Sequence, residues 1–488
     1  MNRHAELEGR LMRVVDAERR LTRRDFLKAT GAAALALTAG PTVFVRRARA
    51  AASQLRILQW SHFVPSYDVW FDKWAKEWGA NRSPAVEVTV DHISFADLVP
   101  RANAEVAAQA GHDLFMFISP PAAFEPQVLD MADVVQEAER RHGPILDLAK
   151  KSTYNPNTGK WFGFSDNYVP DPGNYLRSVW ERIGMPAGPR TWQDLLDAGP
   201  AIRRAFPEIQ IPVGIGLSQD IDSNMATRAM LWSFDASIQD AEENVVLNSP
   251  QTLETLDFAV RLFRQAMSPA VLSWNAASNN QALNARQAAY ILNSISAYRT
   301  AQDNGLPIAD DIFFLEPLRG PRGTQLASEH VMGVYVIWKF AAQPDLAKEF
   351  LLALVDHYRD AVLASKLYNF PSFVGSVADP GVAVAQRPAA GERWLAEQTR
   401  RDPFGSNPPD KLASLSSALR WSTNVGHPGP ANPAIGEVFD SFVIPDMFAK
   451  AVTGQLSPRE ALAEANARVK EIFARWRARG LVGGGRDR

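Results

Sequence analysis

The chain has 488 residues, 46% of them hydrophobic, which is enough to build two lobes with well-buried cores. It contains no cysteine, so disulfides, thiolate metal sites, a cysteine nucleophile and a lipid-anchoring cysteine are all excluded. The first 50 residues carry 11 basic and 5 acidic side chains, and the remainder carries 41 basic and 49 acidic ones. This slightly acidic balance does not suit a nucleic acid or an anionic membrane as a partner.

An export signal is predicted at the start of the chain. The segment TRRDFLK at residues 22–28 places a paired arginine before an uncharged run from Ala29 to Val45. That run, about 17 residues long and interrupted by proline, is too short and too weakly apolar to span a membrane. An Ala-x-Ala pattern at residues 48–50 is typical of a cleavage site. The arrangement resembles a twin-arginine signal peptide over residues 1–50, so a periplasmic mature protein is expected to begin near Ala51.

Strand and helix patterns alternate directly after this signal. A capping box, Ser94-Phe95-Ala96-Asp97, predicts the start of the second helix. The order β-α-β-α-β predicts a parallel sheet with helices on its faces, and such sheets bind ligands beyond the carboxyl ends of their strands. Strands are predicted at residues 55–60, 86–90 and 113–118, and helices at 67–78 and 94–109.

The remainder of the chain is predicted to be mostly helical. Capping boxes begin at Thr191 and Ser457, and Ser249-Pro250 marks another helix start. The Gly- and Arg-rich tail, residues 480–488, is predicted to be disordered. Further strands are expected at residues 289–292, 311–315 and 331–338, and further helices at 279–290, 345–358 and 458–479.

Several segments carry a family resemblance. They are YNPNTGKWFGF from Tyr154, PRTWQDL from Pro189, QAAYILNSISAY from Gln287 and the loop from Glu316 to Gly323. In order and spacing these segments resemble the family 1 extracellular solute-binding proteins of ABC importers, the group that contains maltose- and glycerol-phosphate-binding proteins.

Three positions depart from that family's pattern. Ser165 stands where proline is usual, and Ser294 and Ser296 stand where glycine and tryptophan are usual. The last change removes a stacking platform that many sugar binders of the family use.

The resemblance implies an α/β, two-lobed periplasmic binding protein fold (type II) with the ligand cleft between the lobes. Residues 54–165 and 313–357 would form lobe 1, and residues 166–312 and 358–479 would form lobe 2. A small solute, a saccharide or a polyol, would be trapped by hinge closure and passed to the importer's transmembrane permease. The protein would act as a monomer, without a cofactor and without chemistry on its ligand.

Candidate ligand-binding residues follow predicted strands, lie at the crossover between lobes, or match binding segments of the family. Ser119 and Asn293 each follow a strand, so both are expected to face the cleft. Trp232 and Phe439 are each either a stacking wall or part of the core. The full set is His62, Phe63, Ser119, Asn167, Tyr168, Gln219, Asp220, Trp232, Asn293, Ser294, Ser296, Glu329, His330 and Phe439.

Enzyme motifs do not emerge from the pattern. The eight histidines are scattered without zinc-binding spacing, and Gly163-x-Ser165 lacks the second glycine of a nucleophile elbow. No catalytic or metal site is therefore predicted. Two alternatives stay open: an exported carbohydrate-active hydrolase, whose carboxylate pair no spacing singles out, and a solute sensor or adaptor for a periplasmic receptor. Glycoside turnover would favour the first, and receptor binding without transport the second.

Overall fold

The computed structural model describes residues 53–487. The predicted export signal, residues 1–50, lies outside the described residues. Within the described range, none of the helices combines the length and the apolar character that crossing a membrane requires.

Two main sheets organise the molecule, and their strands are numbered here in chain order. The strands are β1 (Ser53–Trp60), β2 (Val86–Ile93), β3 (Leu114–Phe117), β4 (Tyr154–Asn155), β5 (Lys160–Trp161), β6 (Phe164–Val169), β7 (Gly173–Leu176), β8 (Ile211–Gly214), β9 (Ala288–Leu292), β10 (Ile312–Leu315), β11 (Ala327–Ser328), β12 (Val331–Val336), β13 (Phe370–Pro371) and β14 (Ser422–Thr423).

The larger sheet has the strand order β13-β6-β12-β3-β1-β2. Strand β1 pairs in parallel with β2 and β3, as the β-α-β-α-β pattern predicted, while β12 runs antiparallel to β3 and β6. Strands β3, β6 and β12 bury every residue. Near-continuous apolar runs such as LFMF in β3 are typical of strands that helices cover on both faces.

The smaller sheet has the order β10-β7-β9-β8, in which only β8 and β9 are parallel. The chain passes from the larger to the smaller sheet through residues 170–172 and returns between β10 and β12. These two crossings lie side by side, because the His330 backbone N–H donates to the Val169 carbonyl at 2.8 Å. Short paired crossings of this kind place a hinge between two lobes.

Helices surround both sheets, and most of the predicted ones form close to their expected limits. The α-helices span Ser66–Ala80, Leu98–Ala108, Ala132–His142, Asp147–Thr153, Arg177–Arg182, Trp192–Ala205, Ile221–Ser233, Pro250–Ala266, Ser278–Asn284, Ser296–Asp303, Ile308–Asp311, Pro344–Asp356, Tyr358–Ala364, Arg387–Arg400, Pro433–Asp440, Val443–Thr453 and Pro458–Arg477.

Two of the three predicted capping boxes form, at Thr191 and Ser457. The third, at Ser94, does not. There the backbone carbonyl of Ser94 accepts from the Asp97 N–H at 2.9 Å, which closes a 3₁₀ turn over residues 95–97. The α-helix consequently begins only at Leu98, without a side-chain cap. A backbone hydrogen bond has taken the role that the serine hydroxyl was expected to play.

The lobe limits read from the sequence differ from the sheets at three strands. Strand β10 lies in the smaller sheet, although residues 313–357 were assigned to lobe 1. Strands β6 and β13 lie in the larger sheet, because both pair within it: β6 with β12, and β13 with β6. The division into lobes remains a proposal, with β6 and β13 moved to lobe 1 and β10 to lobe 2.

The predicted disorder of the C-terminal tail is wrong for residues 480–487. The Gly483 N–H donates to Glu243 Oε2 at 2.6 Å, and Asp487 pairs with Arg477 at 2.7 Å. Asp487 also accepts from the Val245 N–H at 2.8 Å. Composition alone suggested a free tail, but Glu243 and Arg477 supply the charged partners that order it.

Candidate functional site

A cavity of about 410 Å³ opens between elements of the larger sheet and elements of the smaller one. One wall contains residues 95–96 and 98–100 and the end of β3 with Ser119, and the other contains residues 219–221, 439–440 and 442. Four of the predicted site residues line it together: Ser119, Gln219, Asp220 and Phe439. Their positions in the chain range over more than 300 residues, so it is the fold that brings them together.

The cavity is aromatic and acidic. Four phenyl rings line it, those of Phe95, Phe117, Phe439 and Phe442, whereas Asp220 and Asp440 are its charged residues. None of its lining residues is basic. The Asp220 side chain also caps the helix Ile221–Ser233 by accepting from the Asp222 N–H at 3.1 Å. Burial raises the pKa of Asp220 above its usual value, against the opposing effects of two backbone hydrogen bonds and of His330.

A buried polar cluster lies behind Asp220. It consists of Asp171, Asp222, Asn279, Asn293 and His330, each less than 9% exposed. His330 stands between the two carboxylates, with Nδ1 3.1 Å from Asp171 Oδ1 and Nε2 3.9 Å from Asp222 Oδ1. The other oxygen of Asp222 accepts from Asn279 Nδ2 at 2.7 Å. The cluster thus joins the two crossings, which carry Asp171 and His330, to helices beside the smaller sheet.

Charge and burial oppose each other in this cluster. Burial lowers the pKa of His330, but the carboxylates of Asp171, Asp222 and Asp220 outweigh it, so the pKa lies above its usual value. For Asp222, burial is the largest influence and raises the pKa, while the nearby imidazole of His330 acts against it.

Several buried atoms of the cluster lack a hydrogen bond of normal geometry within residues 53–487. They include Asp171 Oδ1 and His330 Nδ1, which face each other at 3.1 Å, together with Asp222 Oδ1, Asn293 Oδ1 and the Tyr290 hydroxyl. Buried polar groups are nearly always satisfied in folded proteins. Asp222 Oδ1 and Asn293 Oδ1 are therefore acceptors that remain open to a hydrogen-bond donor.

The predicted residues Asn293, Ser294 and Ser296 extend the cluster as a hydrogen-bonded network. Asn293 Nδ2 donates to Asn280, whose own side chain donates to the Ser296 hydroxyl at 3.0 Å. The Ser294 and Ser296 hydroxyls lie 3.2 Å apart. All three predicted residues are no more than 1% exposed, so they do not line the open cavity. Strand β9, which directly precedes Asn293, therefore ends at a cluster of polar side chains instead of at an aromatic ring on which a sugar could stack.

Two residues that follow β1, His62 and Phe63, were predicted to bind the ligand, but they pack beside the larger sheet and do not line the cavity. His62 is 5% exposed among Trp60, Tyr67 and Tyr368, and its Nε2 lies 3.1 Å from Asn369 Oδ1. Burial lowers the pKa of His62 to about 4, so the ring is neutral near pH 7. Phe63 is half-buried, with its ring edge-on to Trp60 at 5.5 Å.

The predicted site residues at the crossover, Asn167 and Tyr168, are buried within the larger sheet. Asn167 donates to Asp166 Oδ1 at 2.8 Å, and Tyr168 packs its ring against Phe370 at 5.8 Å. Both predicted residues are 1% exposed. They lie on β6 within the larger sheet, so they support the crossing instead of contacting the cavity.

The last two predicted residues are buried beyond the cavity wall. Trp232 is 3% exposed and meets His427 edge-on at 5.6 Å, which makes it a core residue. Glu329 is fully buried and accepts from the Val425 N–H at 3.2 Å. Burial raises its pKa well above the usual value, despite that hydrogen bond and the charge of Arg228.

Sequence reasoning missed Asp171, Asp222 and Asn279. Asp222 lies two residues after the predicted Asp220, on the first turn of the same helix, so the N-cap pattern could have suggested it. Asp171 lies between two prolines in the crossover that the sequence identified. No local pattern singles out Asn279, which reaches the cluster only through the fold.

Two α/β sheets joined by paired crossings, with a cleft between them, define a two-lobed solute-binding protein. The chain belongs to the family described as "Bacterial extracellular solute-binding protein", whose model matches residues 64–357. None of the curated proteins compared with the chain matches it. This membership confirms the resemblance read from the sequence, and the family's proteins bind solutes.

Solved structures of similar fold carry small hydroxylated ligands. Maltose-bound MalE3 of T. maritima is 19% identical, with a TM-score of 0.69 over 86% of this chain and 100% of that one. A solute-binding protein of Agrobacterium radiobacter K84 in complex with ribitol is 15% identical, with a TM-score of 0.68 over 86% and 99%. A sugar transporter of Arthrobacter chlorophenolicus A6 with bound laminaribiose is 15% identical, with a TM-score of 0.65 over 86% and 99%. At these identities the likeness shows the fold, which is the predicted two-lobed one.

Proposed function

We propose that this protein is the periplasmic solute-binding component of an ABC importer, acting as a monomer on a small saccharide or polyol. The observation that carries the proposal is the network of carboxylate, amide and hydroxyl groups between the two sheets, with free acceptors at Asp222 and Asn293. Hydroxyl groups of a polyol can donate to such acceptors and accept from neighbouring amides. Family membership and the ligands of similar structures support the same conclusion.

Capture would follow from closure of the hinge at the paired crossings. His330 directly precedes β12 of the larger sheet, while Asp222 and Asn293 belong to elements beside the smaller sheet. A solute that bridges these groups binds the closed form more tightly than the open one. It therefore shifts the population towards closure by that difference in affinity, and the permease recognises the closed form.

Ligand binding is expected to stabilise the protein without turnover. A saturating solute at a hundred times its dissociation constant should add about 2.7 kcal/mol to the free energy of unfolding. The measurement is the melting temperature of the mature protein across a panel of sugars, polyols and their phosphates, with product analysis for hydrolysis. If no member of the panel shifts the melting temperature, the proposed ligand class is wrong. Steady hydrolysis of any member would favour the enzyme alternative.

Replacing Ser119 with Ala is expected to weaken ligand binding by roughly 1–3 kcal/mol, since it removes one hydrogen bond to the solute. Stability without ligand should barely change, because Ser119 lines the open cavity and is already accessible to water. Asn293→Ala should weaken binding similarly but also lower the stability, because it leaves Asn280 without its partner. Calorimetry and urea denaturation separate the two effects, and unchanged affinity in both variants would contradict this placement of the site.

Export is expected to depend on the paired arginines that precede the apolar run. Changing Arg23 and Arg24 to lysine keeps the charge but removes the twin-arginine pattern, so the protein should remain in the cytoplasm. Cell fractionation and N-terminal sequencing test this, and the wild-type N-terminus should lie close to Ala51. Normal processing of wild-type protein in a strain without the twin-arginine translocase would show that another route exports it.

A further inference from the structure

We infer that the solute carries a positively charged amino group, so that its class is the amino sugars and amino polyols. The inference rests on the proposed function and specifies the ligand of that same cleft. It follows from the balance of charge around the buried polar cluster and from the unpartnered atoms that the cluster contains.

Negative charge is in excess where the two lobes meet. Asp171, Asp220 and Asp222 approach a single imidazole, that of His330, and each of the four side chains is no more than about a tenth exposed. Burial raises the pKa of Asp220 and of Asp222, so their ionised forms are already disfavoured here, and closure around a neutral solute would add no counter-charge for them. Enclosing an unpaired charge is costly, whereas a cationic group on the solute would offset it.

A buried arginine, Arg228, lies near the cavity without lining it. Its guanidinium carbon is 4.9 Å from the centre of the Phe439 ring. Its Nη1 donates to Asn224, and it faces the carboxylate of Glu329. Its charge also acts on the nearby carboxyl of Asp440, but Arg228 itself is fully buried, and no basic residue lines the cavity.

The unpartnered atoms match the donor pattern of an ammonium group. Asp171 Oδ1 is occupied by His330 Nδ1 at 3.1 Å, but Asp222 Oδ1 and Asn293 Oδ1 are acceptors without a normal hydrogen bond within residues 53–487, and both side chains are buried. An ammonium group presents three donors and no acceptor, whereas a hydroxyl presents one donor. Charge-assisted hydrogen bonds to carboxylates are about twice as strong as neutral ones.

The cavity whose wall includes Asp220 suits a cation with a carbon skeleton. Phe95, Phe117, Phe439 and Phe442 can contact the carbon atoms of a sugar or polyol and attract a cation through the faces of their rings. Asp220 and Asp440 place two carboxyl groups at the same opening; burial raises the pKa of both, and a cationic solute would favour their ionised forms. An anionic solute would meet repulsion along this route.

Calorimetry with matched pairs tests the inference directly. The pairs are glucosamine with glucose, galactosamine with galactose and 1-amino-1-deoxysorbitol with sorbitol, each amine also in its N-acetylated form, with gluconate as the anion. We expect at least one amine to bind about tenfold or more tightly than its neutral partner, and N-acetylation to abolish the gain. Equal binding of neutral and amino forms, or a preference for gluconate, would overturn the inference and leave the proposed function standing. If no compound of the panel binds, both are contradicted.

Variants connect the preference to the named carboxylate. Asp222→Asn should lower affinity for the preferred amine about tenfold more than it lowers affinity for the neutral partner, because only the amine loses a charge-assisted contact. Asp379→Asn is the matched control, because Asp379 is 73% exposed and pairs with Arg359 on the surface. If Asp222→Asn fails to fold, Asp220→Asn provides the same comparison at the cavity wall. An equal loss for amine and neutral partner in the folded variant would overturn the assignment.

Discussion

Replacing Arg299 with methionine is expected to lower the free energy of unfolding by about 3–5 kcal/mol. Arg299 and Asp402 form a buried ion pair, with side chains 1% and 0% exposed and nitrogen–oxygen distances of 2.7 and 3.1 Å. Arg299 Nε also donates to the Lys366 carbonyl at 2.9 Å. Methionine fills similar volume but leaves the Asp402 carboxylate buried without its counter-charge, which is the costly way to break such a pair.

Urea denaturation measures this effect, with Arg140→Met as the matched control. Arg140 pairs with Glu137 through one helical turn, and its side chain is 71% exposed. Exposed pairs contribute little to stability, so the midpoint of the control should stay near that of the wild type. Equal midpoints for Arg299→Met and the control would show that the buried pair does not stabilise the fold.

The elements that the sequence predicted well are those with a strong local signal. Strands β1 and β3 read as short apolar runs, and Thr191 places a hydroxyl three residues before Asp194, which is a complete capping box. Ser94 has the same spacing but forms a 3₁₀ turn instead. The spacing of residues along the chain determines which capping hydrogen bonds are possible, whereas the surrounding packing determines which of them form.

The candidate site was only partly predictable, for a related reason. Position after a strand singled out Ser119 and Asp220, which line the cavity, and also Asn293, which does not. The position of a residue after a strand does not predict the direction of its side chain. His62 follows β1, but its ring packs among the rings of Trp60, Tyr67 and Tyr368. The contact between Asp171 and His330 joins two crossings that are far apart in sequence, and only the pairing of β6 with β12 brings them together.

Asp166 is expected to make the protein less stable as the pH rises towards 7. It lies 1% exposed on β6, accepts from Asn167 Nδ2 at 2.8 Å and accepts from the Tyr358 hydroxyl at 3.2 Å. Burial raises the pKa of Asp166 from 3.8 to about 7, although both hydrogen bonds act to lower it. Between those values the folded protein holds a proton that the unfolded chain has released. Stability therefore falls as the pH rises through this window and levels off above pH 7, for a total on the order of 4 kcal/mol.

Asp166→Asn should remove this dependence, because asparagine keeps an acceptor oxygen for Tyr358 without a charge. The wild type also contains His62, whose lowered pKa of about 4 acts in the opposite direction, since its stability contribution is lost as the pH falls from 6.5 towards 4. Comparing variant with wild type at each pH cancels that contribution. Urea denaturation at pH 5 and pH 8 should show the variant gaining roughly 2–3 kcal/mol relative to the wild type at the higher pH. Asp379→Asn, an exposed control, should follow the wild-type profile. If Asp166→Asn follows it too, the Asp166 carboxyl is already ionised throughout this range, and the desolvation of its charge does not limit the stability of the larger sheet.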